Sequence, residues 1–338
     1  MKTLIETCRT GLLFKRKSLI FLAMKLLLTS LLVLLSLLAP RAQAACTSLD
    51  LRNETLGEPR DQKNVSWCYA YTISDMVAHH YHLPRLSAAD IAITYNHSPL
   101  AEKQRKLYEV YFKMFRPELL NTEHTTGFMQ VALKTTFARG VCLEKEFPSD
   151  FLTRITTQEN TSEQVPMAQA IREIHLQKES RDSTSYYAFP NVDRAAYFQF
   201  LAGSDIHDLF FNISEQACKN SRFQDFGKMA PVHHYKNKKS LGEIDQILEG
   251  GDIAGIEYFP TFLYNLDAKI WGLHTSSIVA RRMNEKTQSC EYLIRNSRGS
   301  DCSKYDARLE CENGHIWVPG DLLKSRLISV SHFEESKP

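Results

Sequence analysis

The hydrophobic pattern of the sequence changes near residue 241, and this change constrains the fold more than any other feature. Before it, apolar residues recur at helical spacing, which predicts four helices: 67–83, 86–96, 103–114 and 127–137. After it, a helix over 241–250 is followed by short runs rich in β-branched and aromatic residues. These runs predict four strands: 252–259, 274–283, 290–296 and 314–319. Helices first and strands second predict an α+β fold with segregated layers, the strands forming an antiparallel sheet or barrel.

The N-terminal segment is typical of an export signal. Lys25 precedes 14 residues without charge, 26–39, and Ala42-Gln43-Ala44 follows. A basic start, a short apolar run and an A-x-A site together predict a signal peptide over 1–44 that is cleaved after Ala44. The apolar run is shorter than the roughly 20 residues that a membrane span needs, so an uncleaved anchor is the less favoured alternative. We therefore expect a secreted or periplasmic protein with no membrane span after cleavage.

Two details of this region stay open. The true start is Met1 or Met24, because the sequence from Met24 is itself a complete signal opening. A lipid anchor on Cys46 is the less favoured alternative to simple cleavage, because Gln43 stands where a bacterial lipobox carries an aliphatic residue.

The cysteine count indicates one free thiol. Removing 1–44 leaves seven of the eight cysteines, and an odd count in an exported protein favours disulfide pairs plus one unpaired thiol. Cys302 and Cys311 flank a polar loop and are the candidate pair. If the unpaired cysteine is reactive, the other six allow 15 connectivities.

Charge and composition exclude several functions. Residues 45–338 carry 34 Lys and Arg against 38 Asp and Glu, a net charge of −4, which argues against a nucleic-acid partner. His79, His80 and His82 lie close together, but no nearby acid or cysteine in the sequence completes a metal site. We expect no metal, no cofactor and a monomer.

Four residues form the constellation that carries chemistry: Gln62, Cys68, His274 and Asn296. Cys68 opens Cys-Tyr-Ala-Tyr, and Asn296 opens Asn-Ser-Arg-Gly. Residues 312–319 read Glu-Asn-Gly-His-Ile-Trp-Val-Pro, and Gly140 begins a Gly-x-x-x-Glu stretch that ends in Phe-Pro at 147–148. In this order and with these flanking motifs, the chain resembles the papain-like cysteine proteases over most of 59–148 and 241–320. It is divergent, and we expect a bacterial protein.

The resemblance implies a two-lobe fold with the active-site cleft between the lobes. Residues 45–149 would form the helical left lobe with the cysteine, and 241–338 the antiparallel β right lobe with the histidine and asparagine. The 206 residues from Cys68 to His274 exceed the usual gap of the family, so 150–240 is expected to be a family-atypical insertion. An N-terminal inhibitory prodomain is not expected, so the insertion or a separate protein inhibitor would restrain the enzyme.

The resemblance also implies a role for each residue. Cys68 would be the nucleophile, in the first turn of a helix capped by Ser66, where the helix dipole stabilises a thiolate. His274 would pair with the thiolate and protonate the leaving amine, and Asn296 would orient its ring. Gln62 and the Cys68 backbone N–H would form the oxyanion hole. Gly127 is a weak match to the glycine segment that pairs with an extended substrate, and a turn or helix-start glycine is an equal alternative.

These roles predict a cysteine peptidase acting on protein or peptide substrates. Two alternatives stay open: a Cys-His acyltransferase or amidase on the same scaffold, and a catalytically silent binding protein. Arg298 and Trp67 favour the silent protein. Arg298 stands where the family has the tryptophan that shields the Asn–His hydrogen bond, and Trp67 places a large ring beside the thiol.

Overall fold

The structure is a computed structural model that describes residues 46–52, 56–63, 67–104, 106, 127–150, 206–235, 240–268 and 272–335. The predicted signal peptide lies outside this part of the chain, as do most of the predicted helix 103–114 and most of the predicted insertion 150–240.

Seven helices in the described residues have named bounds: α1 Cys68–His80, α2 Ala88–His97, α3 Met129–Arg139, α4 Ile206–Cys218, α5 Ser240–Glu249, α6 Thr261–Tyr264 and α7 Gly320–Arg326. Four of them, α1, α2, α3 and α5, confirm predicted helices. The Ser87 hydroxyl caps α2 by accepting from the Asp90 backbone N–H at 3.0 Å. The expected cap of α1 is wrong by one residue. That helix begins at Cys68, and its N-cap is Trp67 instead of Ser66.

The strands form one antiparallel eight-stranded sheet: β1 Leu49–Asp50, β2 Met229–Tyr235, β3 Ala254–Tyr258, β4 His274–Asn284, β5 Ser289–Arg295, β6 Cys311–Glu312, β7 His315–Pro319 and β8 Leu327–Glu335. Their order is β2-β8-β3-β4-β5-β7-β6, with β1 paired to β4. The four predicted strands are confirmed as β3, β4, β5 and β7. Strands β2 and β8, which pair with each other, were not predicted.

The sheet lies between two hydrophobic clusters, and neighbouring residues of the central strands β4 and β5 face opposite clusters. Val279 of β4 and Leu293 of β5 pack with helices α1 to α4, whereas their neighbours Ile278 and Ile294 pack with α5 to α7. Helix α1 is almost entirely buried and packs on β4. The expected α+β fold, with a helical layer and an antiparallel sheet, is confirmed.

The described part of 150–240 joins both layers. Phe210 and Ile213 of α4 belong to the helical cluster, and β2 adds an edge strand to the sheet along β8. A disulfide between Cys142 and Cys218 ties the end of α4 to the segment that follows α3.

Three disulfides account for six cysteines: Cys46–Cys290, Cys142–Cys218 and Cys302–Cys311. Cys302 and Cys311 are therefore joined as expected, and Cys68 is the free thiol of the described residues. Because the Cys46 sulfur is bonded to Cys290, it is not left for a lipid anchor. Three disulfides fit an oxidising compartment. Within the described ranges no helix combines the length and apolar character that a bilayer crossing requires.

Candidate active site

The Cys68 thiol is the candidate nucleophile of the site. Cys68 is the first residue of α1 and is half-buried. At this position the N–H groups of the first helical turn present partial positive charge to the sulfur. A thiol placed there is predisposed to ionise, as a nucleophilic cysteine requires.

The groups around the sulfur lower its pKa. Burial alone would raise the pKa of Cys68, but the charge of His274 and a hydrogen bond from its ring outweigh burial and lower the pKa to about 7. The side chain and the backbone of Thr275 lower the pKa of Cys68 further. Among the described residues, the buried Thr275 hydroxyl has no hydrogen-bond partner. The thiolate of Cys68 is therefore more accessible at neutral pH than that of an ordinary cysteine.

His274 is presented to the sulfur by the sheet. It is the first residue of β4, opposite Tyr258 on β3, and the two rings meet edge-on with centroids 5.7 Å apart. Its Nε2 lies 2.7 Å from Asn296 Oδ1. Because an amide oxygen only accepts, Nε2 carries a proton and Nδ1 is the ring nitrogen left for the thiol.

The orientation of the Asn296 amide follows from its neighbours. Asn296 directly follows β5 and is 1% exposed. Its Oδ1 also accepts from the Ser297 backbone N–H at 2.8 Å, and its Nδ2 donates to the Tyr305 hydroxyl at 3.2 Å. Since a backbone N–H only donates, the oxygen end of the amide is the end shared by Ser297 and His274.

Gln62 lies beside the residue that follows Asn296. Its backbone N–H donates to the Ser297 carbonyl at 2.9 Å, and its Oε1 accepts from the Ser297 hydroxyl at 2.5 Å. These two bonds fix the loop that approaches α1. They hold the oxygen end of the Gln62 amide, so that Nε2 is the end that can donate to another group.

Arg298 and Gly127 have structural neighbours of their own. The Arg298 guanidinium donates to the Lys63 carbonyl at 2.6 Å and so braces the loop that carries Gln62. Gly127 is buried just before α3, where a Cβ would lie 2.3 Å from Tyr69 Cε1. Only glycine fits against that ring, and Tyr69 is the residue after the candidate nucleophile.

A buried ion network joins α1 to β5. Asp75 of α1 pairs with Arg60 at 3.1 Å and with Arg295 Nε at 2.8 Å. Arg295 also donates to three backbone carbonyls, those of Leu56, Gly57 and Glu58. Because Arg295 directly precedes Asn296, the network fixes the strand that carries Asn296 against the helix that carries Cys68.

Three residues of the site were missed by the sequence analysis: Thr275, Ser297 and Tyr305. Thr275 and Ser297 directly follow His274 and Asn296, so their adjacency was a usable signal. Tyr305 carried no signal, because its position depends on the conformation of the loop between Cys302 and Cys311.

The histidines of α1 have a partner that the sequence analysis did not anticipate. His79 Nδ1 and His80 Nδ1 lie 3.2 and 2.6 Å from the two oxygens of Asp252, which precedes β3. No cluster of three or more His, Cys, Asp or Glu in the described residues is arranged to hold a metal ion.

Comparison with known proteins finds similarity in three-dimensional structure alone. No family model matches the sequence, and no curated protein matches it. One similar solved structure is digestive procathepsin L 3 of Tenebrio molitor larval midgut, with 12% identity and a TM-score of 0.43, covering 87% of this chain and 71% of that one.

Two further solved structures are similar. The Carica candamarcensis cysteine protease CMS1MS2 in complex with E-64 is 13% identical, with a TM-score of 0.43, and the match covers 86% of this chain and 99% of that one. PepW from Lactobacillus rhamnosis is 10% identical, with a TM-score of 0.47, and the match covers 88% and 84%. At these identities the chemistry of the site is argued from the residues of this chain. The chain has an α+β fold of helices against an antiparallel sheet, and papain-like cysteine proteases are among its solved structural neighbours.

Proposed function

We propose that this chain is an exported papain-like cysteine peptidase that hydrolyses peptide bonds with Cys68, His274, Asn296 and Gln62. The observation that carries the proposal is the placement of a free cysteine, Cys68, at the first residue of α1 together with the His274 ring, which lowers the pKa of that thiol. That ring is in turn held by a buried asparagine at 2.7 Å. A nucleophile, a base and a group that orients the base are the three parts of a covalent hydrolase.

The first half of the reaction is acylation of the thiol. The Cys68 thiolate attacks the scissile carbonyl carbon, and the carbonyl π electrons move onto its oxygen. The tetrahedral intermediate then collapses as the carbon–nitrogen bond breaks. The imidazolium of His274 gives its Nδ1 proton to the leaving amine, while its Nε2–H remains hydrogen-bonded to Asn296 Oδ1.

The second half regenerates the thiolate. Water attacks the thioester carbonyl, and His274, now neutral, accepts a proton from that water through Nδ1. Collapse of the second intermediate expels the Cys68 thiolate and releases the carboxylic acid. The groups that hold His274 and Asn296 in place are buried, so the same geometry serves both halves.

The oxyanion would be stabilised by two donors, the Gln62 side-chain amide and the Cys68 backbone N–H. The bond donated by the Ser297 hydroxyl supports this assignment, because it holds the oxygen end of the Gln62 amide and so makes the nitrogen end the donor. The first-turn N–H groups of α1 carry the matching partial charge.

Substitution of the nucleophile tests the proposal. The secreted wild-type protein should hydrolyse unfolded protein substrates and should be labelled by E-64, the epoxide held by one of its structural neighbours. Cys68→Ala should lose both hydrolysis and labelling, because the nucleophilic sulfur is gone. Peptide mapping of the labelled wild type should locate the modification on Cys68.

A control separates loss of chemistry from loss of fold. The Cys68→Ala protein should keep the far-UV circular dichroism and melting temperature of the wild type, because Cys68 forms no disulfide. Hydrolysis that survives in Cys68→Ala would refute the assignment. Transfer of the acyl group to an added amine instead of water would identify an acyltransferase or amidase, and an unlabelled, folded wild type would identify a binding protein.

Export is part of the proposal. The sequence before Ala44 is typical of a signal peptide, and the three disulfides support an oxidising location. We also propose the following organisation: lobes over 45–149 and 241–338, with an insertion over 150–240. Restraint of the enzyme by a separate inhibitor is part of the same proposal.

A further inference from the structure

The Asn–His pair of this chain lacks the ring that the resemblance leads one to expect beside it. Residue 298 is an arginine, and its guanidinium donates to the Lys63 carbonyl. The Asn296 amide must keep its orientation, because a rotation of 180° about the Cβ–Cγ bond would turn an N–H donor toward His274 Nε2–H. The Ser297 backbone N–H holds its oxygen end at 2.8 Å, and its nitrogen end needs an acceptor.

Tyr305 supplies a contact of this kind. Its phenol oxygen accepts from Asn296 Nδ2 at 3.2 Å, on the side of the amide opposite the acceptor Oδ1. Tyr305 is 7% exposed, and burial raises the pKa of its phenol above the ordinary range. It is therefore a neutral phenol at any pH at which the site would operate, with an oxygen that accepts.

A small disulfide-closed loop carries Tyr305 to the site. The bond between Cys302 and Cys311 closes the loop, and the Tyr305 backbone N–H donates to the Cys302 carbonyl at 3.2 Å. The Tyr305 ring stacks on Tyr264 of α6, with centroids 5.7 Å apart and planes 22° apart. The position of the Tyr305 ring is therefore fixed in two ways. The Cys302–Cys311 disulfide closes the loop that carries it, and Tyr264 stacks against it.

The residue after Tyr305 fastens the loop to the turn that follows α6. The Asp306 backbone N–H donates to the Leu263 carbonyl at 2.8 Å, and an Asp306 side-chain oxygen accepts from the Leu266 N–H at 2.8 Å. The loop therefore has a defined position relative to the sheet, and the phenol oxygen is aimed at the Asn296 amide by structure on both sides of it.

We propose that Tyr305 is a positioning residue of this site. By accepting a hydrogen bond from Asn296 Nδ2, its phenol oxygen keeps Asn296 Oδ1 hydrogen-bonded to the His274 Nε2–H. The expected effect of Tyr305 on catalysis rests on the proposed function. Tyr305 acts through Asn296 and need not touch the substrate.

Tyr305→Phe tests this role, because it removes the oxygen and keeps the stacked ring. We expect kcat for peptide hydrolysis to fall by about fivefold to tenfold with KM within about twofold, the pattern of a lost interaction that matters in the transition state. The alkaline limb of the kcat/KM profile should also move to lower pH, because the His274 Nε2–H would lose its firmly held acceptor.

Tyr292→Phe is the matched control. Tyr292 is also a buried tyrosine of the β layer, and its hydroxyl makes one side-chain hydrogen bond, to Asp245 Oδ1 at 3.0 Å. Its removal should leave the pH profile unchanged. A second variant, Cys302→Ala with Cys311→Ala, opens the loop without altering the ring and should shift the alkaline limb in the same direction as Tyr305→Phe.

The rate of Cys68 alkylation by iodoacetamide against pH gives a readout that needs no peptidase activity. A shifted alkylation profile in Tyr305→Phe alone would support the role of Tyr305, even if the wild type hydrolysed no peptide and the proposed function failed. If Tyr305→Phe kept the kinetics and the pH profiles of the wild type, the inference would be overturned. A change in Tyr292→Phe as large as that in Tyr305→Phe would overturn it as well.

Discussion

Thr275, the residue after His274, influences the ionisation of the candidate nucleophile Cys68. It follows His274 on β4, so its side chain projects from the opposite face of the sheet, the face on which α1 packs. Its side chain and its backbone both lower the pKa of the Cys68 thiol. A hydrogen bond to the charged form of a group lowers the pKa of an acid, so Thr275 contributes to the ionisation of the sulfur.

We expect Thr275→Val to raise the pKa of Cys68 from about 7 by about half a unit to one unit, because a methyl group replaces the hydroxyl at nearly equal volume. At pH 6.5 the thiolate fraction and the rate of iodoacetamide alkylation should fall about threefold to tenfold. Ser277→Ala, which removes another buried hydroxyl two residues along β4, is the control. An unchanged alkylation profile in Thr275→Val would contradict this account.

At the scale of elements, Asp252 connects the end of α1 to the start of β3. Burial alone would raise the pKa of Asp252, but hydrogen bonds from His79 and His80 outweigh it and lower the pKa to about 2. In the unfolded chain the carboxyl takes up a proton near pH 4, whereas in the folded protein it stays ionised until about pH 2. The stabilisation is therefore complete above pH 4 and is lost as the pH falls toward 2.

Asp252→Asn should lower the free energy of unfolding at neutral pH by about 1–2 kcal/mol, and it should flatten the dependence of stability on pH between 4 and 2. Urea unfolding at pH 7 and pH 3 measures both effects. Asp267→Asn is the control, because that exposed carboxylate pairs with Arg308 at the surface, and its loss should cost less than about 0.5 kcal/mol. Equal effects of the two substitutions would contradict a special role for Asp252.

The predicted elements are those whose side chains follow a simple periodicity. Strands β3, β4, β5 and β7 were predicted because their runs are dominated by β-branched and aromatic residues. Strand β8 was not predicted because it buries two serines, Ser329 and Ser331. Ser329 is hydrogen-bonded to the buried Glu257, and Ser331 is hydrogen-bonded to His233. Polar groups that are paired inside the protein remove the hydrophobic signal without removing the strand.

The same limit applies to the candidate site. Cys68, His274 and Asn296 were predicted as site residues because their residue types and order are informative. The contacts of Asn296 with Tyr305 and of Gln62 with Ser297 were not found, because they depend on loop conformations. No periodicity in the sequence encodes those conformations.

At the scale of the whole molecule, the disulfides differ in what they constrain. Cys46–Cys290 joins residues 244 apart in the sequence and fastens the start of the described chain to β5, whereas Cys302–Cys311 spans only nine. In the chain-entropy model a longer closed loop restricts the unfolded state more, by about 5 kcal/mol for the first bond against about 2.5 kcal/mol for the second.

We therefore expect removal of Cys46–Cys290 by paired alanine substitutions to lower the free energy of unfolding by about 2–5 kcal/mol, with little change in activity per folded molecule. Removal of Cys302–Cys311 should cost less stability and more activity, because its loop carries Tyr305. Equilibrium unfolding and active-site titration, applied to both double variants, separate the two effects. The reverse ranking would contradict this division between a stabilising bond and a bond that positions the site.

Three consecutive residues, 295 to 297, reach three separate parts of the protein. Arg295 binds Asp75 of α1, Asn296 binds His274, and Ser297 binds Gln62. A slip of one residue here would disconnect all three at once, because successive side chains of an extended chain project in opposite directions. Insertions and deletions within this tripeptide should therefore be excluded over evolutionary time.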